Sequence, residues 1–431
     1  MTDTTSTPDM AAEAAPLNKP SRVLLASLIG TTIEFFDFYS YATAAVLVFP
    51  HLFFPGEDAT TALLASFATF SIAFFARPLG AAVFGHFGDR VGRKTTLVAA
   101  LLTMGISTVI IGLLPTYAQI GVAAPALLAL CRFGQGFGLG GEWGGAVLIA
   151  TENAPEGKKS WYGMFPQLGA PVGLFLSSGL FTLLLTFMST EDLLAWGWRI
   201  PFLGSVLLIA IGLWVRLSLA ETPAFQKAID KEERVKVPFV EIFRTHKTEL
   251  FLGTFVALST FVLFYIGTAY LLSYNVGVLD MSLTEALHIQ LWGAVVFGLF
   301  IPLAGKLADR ISRFRLLLAV TVLIGVFSFA LAPLLEGGLS GVYGFVTLGM
   351  ALMGITYGII GAVLAAPFPT EVRYTGSSLA FNFAGIVGAS LAPYIATWLQ
   401  ANYGMGHVGY YMLASCVITV LCVLAMGRHK I

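Results

Sequence analysis

Twelve apolar runs of about 18 residues or more constrain this chain more than any other feature. They lie near 22–48, 62–86, 95–115, 122–150, 161–187, 196–217, 247–275, 287–306, 314–335, 341–367, 375–400 and 408–427. Each is long enough to cross a hydrocarbon layer as a helix, and a helix satisfies its own backbone polar groups there. Composition agrees: 57% of residues are hydrophobic and 11% charged, whereas a soluble protein carries about 25% charge. The sequence therefore predicts an all-α polytopic membrane protein of twelve transmembrane helices, with the lipid bilayer as its surroundings.

Lysine and arginine orient the spans. Of the 24 such residues, three (Arg77, Arg132 and Arg199) lie within spans or at a span end. With the N-terminus placed in the cytoplasm, all the others fall on inside segments and none in an outside loop. A missed or invented span would scramble that asymmetry, so both termini are expected to be cytoplasmic. The formal net charge is zero, which argues against nucleic acid as a partner. Cys131, Cys416 and Cys422 sit in apolar stretches without metal-ligand spacing, so neither a disulfide framework, a metal nor any other cofactor is expected.

The chain divides in two. Residues 1–21 read as a disordered cytoplasmic tail, 22–217 as a six-helix bundle, 218–246 as a polar linker with a short surface helix, and 247–431 as a second six-helix bundle. An internal repeat supports the division. Gly85-His-Phe-Gly-Asp89-Arg90-Val-Gly-Arg93-Lys94, after the second span, is echoed after the eighth by Gly305-Lys-Leu-Ala-Asp309-Arg310-Ile-Ser-Arg313. Paired repeats around a central site are the architecture of a secondary transporter that rocks one half against the other. In that reading Asp89, Arg90, Arg93, Asp309 and Arg310 latch the halves on the cytoplasmic side. The plain alternative is a positive-inside anchor.

Ionisable groups at membrane depth are costly, so they line a cavity or pair with each other. The stretch Leu130 to Gly145, LCRFGQGFGLGGEWGG, places Arg132, Gln135, Leu139 and Glu142 at helical spacing on one face, beside glycines that let a neighbouring helix approach. Its GFGLGG satisfies a dinucleotide fingerprint only formally, because no strand precedes it. Glu34 and Asp37 lie three apart in the first span, on one face. Carboxylates at that depth are natural proton carriers. Arg77 and Arg132 are suited to grip a carboxylate substrate or to pair with Asp37. Gln167, Tyr265 and Asn382 are the other polar groups expected to line the substrate path. Glu142 reads equally as a gate residue or as a paired structural acid.

The basic loop and the R-x-x-Q-G-x-G-x-G run at Arg132 to Gly140 resemble the major facilitator superfamily. More narrowly, IGTTIEFFDFYSYATAAVLVFP (29–50), FARPLGAAVFGHFGDRVGRK (75–94), GGEWGGA (140–146), WGWRIPF (196–202) and PTEVRYTG (369–376) resemble its metabolite:proton symporter family. That family includes shikimate, α-ketoglutarate, citrate and proline/betaine transporters. The resemblance implies the major facilitator fold in two six-helix halves and a proton-coupling role for Arg132. It does not reach the substrate, and Ser312 and Phe314 depart from the family loop pattern.

The resulting expectation is a secondary transporter, not an enzyme. It takes up a small-molecule substrate, a carboxylate, with a proton. Asp37, Glu34 and Arg132 handle the proton, and Arg77, Arg132, Gln167, Tyr265 and Asn382 bind the solute. A multi-pass monomer in a bacterial inner membrane is expected. Drug/proton antiport and uptake of a zwitterionic osmolyte such as proline or betaine are the alternatives. Efflux without uptake in vesicles would decide for the first.

Overall fold

The computed structural model of the protein describes residues 20–56, 58–91, 93–140, 142–152, 154–217, 238–369 and 372–428. Most of the expected tail and linker, and the side chains of Asp89, Arg90 and Arg93, lie outside the described residues.

Twelve helical segments run the length of the bundle among the described residues. They are α1 Pro20–Leu47, α2 Ala59–Val91, α3 Arg93–Leu113, α4 Ala123–Leu139 continued by Trp143–Glu152, α5 Lys159–Phe187 and α6 Arg199–Leu217 in the first half. The second half holds α7 Lys247–Gly277, α8 Leu283–Arg310, α9 Arg313–Leu335, α10 Gly338–Ala365, α11 Arg373–Tyr403 and α12 Met405–Met426. Eight of these are long and apolar enough to cross a membrane on length and hydropathy alone. The bent pair Thr190–Gly197 and Arg199–Val215 makes a ninth, at 52°. The others fall short for visible reasons. Glu34 and Asp37 lower the hydropathy of α1, α3 is a shorter apolar run, and α4 is interrupted at Gly140.

That interruption differs from the continuous helical face expected from Arg132 to Glu142. The first piece ends at Leu139, with the Gly140 N–H still bonded to Gly136 O, and the next begins at Trp143. Glycine gives a helix little reason to continue. Arg132 and Gln135 keep their shared face, and Trp143 is free to turn toward the other half.

The glycines of α4 set the helix spacing. A Cβ at Gly136 would stand 2.1 Å from the Ala73 carbonyl oxygen of α2, and one at Gly138 would stand 2.7 Å from the Ala100 carbonyl of α3. Backbone lies against backbone, so no rotamer change relieves the clash. Gly136→Ala is expected to part α2 from α4 at a cost of about 1–3 kcal/mol. A lowered thermal midpoint of the purified protein checks this.

The halves meet along α5 and α8, and along α2 and α11. Polar ties sit in both seams: Ser178 Oγ donates to Gln290 Oε1 at 3.1 Å, and Ser71 Oγ donates to the Ser390 carbonyl at 2.8 Å. Ser390 closes a π-helical turn, Gly385–Ser390, and a second such turn, Ile266–Tyr270, interrupts α7 just after Tyr265. Turns of this kind redirect side chains and recur at functional sites. Before α7, the short helix Pro238–Thr245 buries Ile242 and sets Phe243 against Phe383 of α11, with ring centroids 6.3 Å apart.

Candidate functional site: a buried arginine pair beside Asp37

The centre of the bundle is aromatic. Phe38 of α1 and Phe70 and Phe74 of α2 pack with centroids 5.2–5.5 Å apart. Tyr265 crosses from α7 to approach Phe70 at 5.8 Å and Phe74 at 5.9 Å. Both intramembrane arginines lie on this cluster. The Arg132 guanidinium is 4.4 Å from the Phe38 centroid and 4.1 Å from that of Tyr41, and the Arg77 guanidinium is 4.8 Å from Phe38 and 4.5 Å from Phe74. Phe38 is thus shared by two cations. The negative ring faces partly replace the water each guanidinium has lost, an effect of about 2 kcal/mol or more for a desolvated pair.

Hydrogen bonding leaves both arginines short. Arg132, 0% exposed, donates from Nε to the Phe70 carbonyl at 3.3 Å and from Nη1 to Gln135 Oε1 at 3.0 Å, while Nη2 has no partner. Arg77 Nε is likewise unpartnered. Tyr39, Tyr265, Tyr357 and Glu34 lie within electrostatic range of Arg77. A buried donor without a partner costs about 1–3 kcal/mol, so an arriving carboxylate would relieve this site.

Asp37 stands one helix away, 1% exposed. Its Oδ1 accepts from Ser205 Oγ of α6 at 2.5 Å, and its Oδ2 has no partner. Thr108 of α3 is within hydrogen-bonding reach of the same carboxyl group. Gln135 Nε2 donates to Thr108 Oγ1 at 2.8 Å. Gln135 and Thr108 thus lie between Arg132 and Asp37, and among the described residues no Asp37 oxygen takes a hydrogen bond from Arg132. Phe38, Thr108 and Ser205 escape a reading of the sequence. The only signal for the last two is a hydroxyl in an apolar run, beside Ser107 in GISTVII and alone in LGSVLL.

Gln167 and Asn382, expected on the solute path, are engaged between the halves. Trp143 stacks on Phe381 of α11 with centroids 3.6 Å apart and planes 12° from parallel. Its Nε1 donates to Gln167 Oε1 at 3.1 Å, and Gln167 Nε2 donates to the Tyr357 carbonyl of α10 at 3.3 Å. Asn382 Nδ2 donates to the Gly140 carbonyl at 3.3 Å. A Cβ on Gly144 would stand 1.9 Å from Ser378 Oγ of α11, so a side chain there would have to turn that hydroxyl aside. Glu142 is buried beside this contact.

The cytoplasmic end of the α5–α8 seam carries a second tie. Asp309 accepts from the Ser160 and Trp161 backbone N–H groups at 2.9 Å each, setting a carboxylate on the first turn of α5, where the helix dipole favours it. Arg313 Nε donates to Ser160 Oγ at 3.0 Å, whereas Arg310 is exposed.

Twelve helices in two halves around a buried charged centre define a membrane transporter. The Major Facilitator Superfamily pattern matches residues 27–393, and the chain belongs to that family. It is similar to the inner membrane metabolite transport protein YhjE of Escherichia coli (strain K12), with 54% identity over all of both chains. The shikimate transporter of the same organism is 36% identical over 95% of each chain. A proline/betaine transporter of Salmonella typhimurium is 34% identical over 95% of this chain and 83% of that one. Among solved structures, a D-xylose-proton symporter shares the fold with a TM-score of 0.72 at 17% identity, covering 95% of this chain and 98% of that chain.

Proposed function

We propose that the protein is a proton-coupled symporter that takes up a small organic carboxylate across a bacterial inner membrane by alternating access. One observation carries this reading. Two buried guanidinium groups, each with an unpartnered N–H, share the Phe38 ring beside a buried Asp37 whose Oδ2 is also unpartnered. The arginines supply an anion site between the halves, and Asp37 supplies a place for one proton. Arg77 and Arg132 grip the carboxylate, Tyr265 lines the site from the second half, and Asp37 carries the proton. Glu34, one turn from Asp37, adds a second acid to the same face. The inner membrane follows from the name of the 54%-identical relative and from the many helices long and apolar enough to cross a membrane.

The named solutes of the relatives, shikimate, proline and betaine, all contain a carboxylate, which is the shared demand this site meets. An osmolyte's cationic group fits it less well, because the ring faces of Phe38, Tyr41 and Phe74 already carry guanidinium groups.

The test starts with thermal stabilisation of the purified protein by organic acids, betaine and amino acids. The stabilising compound is then offered to proteoliposomes under an imposed inward proton gradient. Accumulation above the outside concentration, abolished by a protonophore, is expected. Gradient-driven efflux, or uptake indifferent to the gradient, would overturn the proposal.

A further inference from the structure

The surroundings of Asp37 are built to accept either of its charge states without moving a helix. Ser205 Oγ lies 2.5 Å from Asp37 Oδ1 and 3.3 Å from the Pro201 carbonyl of its own helix. Thr108 Oγ1 lies within reach of Asp37 and 3.0 Å from the Met104 carbonyl of its own helix. Each hydroxyl thus has two alternative acceptors for one proton. When Asp37 is ionised both can turn toward it, and when Asp37 is neutral both can turn back to their helices.

The polarity of the link to Arg132 is fixed by chemistry. A guanidinium can only donate, so Gln135 must present Oε1 to it and Nε2 to Thr108. Thr108 therefore accepts from Gln135, and its own proton is the movable one. Turning that proton toward an ionised Asp37 makes Thr108 Oγ1 a better acceptor. Gln135 is then polarised and holds Arg132 more tightly, since hydrogen bonds in a chain strengthen one another.

We propose that Thr108 and Gln135 are positioning residues that report the charge of Asp37 to Arg132, with Ser205 holding Oδ1 so that the arriving proton takes Oδ2. A proton from water binds Oδ2, Thr108 Oγ–H turns to the Met104 carbonyl, and no bond within Thr108 breaks. Arg132 is then released from Gln135 toward an incoming carboxylate, so proton and anion bind together. The charged group acting on Asp37 is Glu34 on its own helix, Arg132 is linked to it through Gln135 and Thr108, and α3 and α6 contribute the two hydroxyls.

This inference rests on Asp37 being the proton carrier, and the experiment separates the two. The carboxylic C=O band of the purified full chain is titrated by infrared difference spectroscopy, and the Asp37 contribution is taken as the part lost in Asp37→Asn. Thr108→Val removes a donor to the ionised form, so its midpoint is expected about one pH unit higher, a tenfold shift, with Thr108→Ser restoring the wild-type value. Gln135→Leu, which does not touch Asp37, is expected to move the midpoint about threefold in the same direction, because the chain beyond Thr108 is cut. Midpoints unmoved in both Thr108→Val and Gln135→Leu would overturn the wire while leaving Asp37 as the carrier. Absence of any titrating band lost in Asp37→Asn would overturn the carrier assignment itself.

Discussion

Asp37→Asn is expected to abolish proton-driven accumulation while leaving exchange of labelled for unlabelled solute across the membrane. The asparagine amide keeps the size of the protonated carboxyl group and still accepts from Ser205, but it has no site for a mobile proton. The binding centre on Phe38, Tyr41 and Phe74 is untouched by the change, so the solute can still bind and both halves can still move. Coupling free energies between sites typically run about 1–3 kcal/mol, or roughly 5–150-fold in affinity, and all of it is lost when one of the two ligands has no site. The expected result is equilibration instead of accumulation, read by counterflow and by gradient-driven uptake in the same proteoliposomes. Full accumulation in Asp37→Asn would place the proton elsewhere, with Glu34 next to be replaced.

Trp143→Ala is expected to open the cytoplasmic face. The indole stacks on Phe381 and donates to Gln167, which in turn reaches the Tyr357 carbonyl, so one side chain joins α4 to α5, α10 and α11. An aromatic pair contributes about 0.5–1.5 kcal/mol beyond its buried area, and a hydrogen bond about the same. Removing both takes roughly 1–3 kcal/mol from the closed state alone, enough to raise the open population by roughly 5–150-fold, with about tenfold a central value. Ser378, buried against Gly144, is a natural reporter. Labelling of Ser378→Cys by an impermeant maleimide from the cytoplasmic side should quicken about tenfold in the Trp143→Ala background. Phe381→Ala should act alike, and Trp143→Phe, which keeps a stacked ring, should fall between. The three native cysteines are buried and add little background. An unchanged labelling rate would show that this contact does not hold the cytoplasmic face closed.

Much of the fold was legible in the chain because hydrocarbon enforces one requirement everywhere. A span must be apolar and about 20 residues long, and its flanking charges must sort by side. The depth of Arg77, Arg132, Glu34 and Asp37 was legible for the same reason. Their partners were not. The Gln135–Thr108–Asp37 connection joins three helices through side chains that are unremarkable in their own runs, and only the packing of α1, α3, α4 and α6 brings them together.

The break in α4 was hidden by a different ambiguity. A glycine run serves close packing and chain reversal equally well, and here Gly136 does the first while Gly140 stands at the interruption. Gln167 and Asn382 illustrate a third difficulty. Polar groups inside a bundle look alike in sequence whether they meet a solute or the opposing half. In this structure both meet the opposing half. Asp309 shows the reverse case. Its place in the repeated loop suggests a latch using arginines or a helix dipole, and the structure sets it on the second and third backbone N–H groups of α5.

The central claim is that one proton and one carboxylate bind together, the first on Asp37 and the second on the arginine pair. Proton uptake by the purified protein on solute binding, followed with a pH indicator in weakly buffered detergent solution, tests it most directly. Addition of the stabilising carboxylate should draw protons from solution in the wild type and none in Asp37→Asn, with the uptake fading at low pH where Asp37 is already protonated. Proton release on binding, or equal uptake by the two proteins, would contradict it.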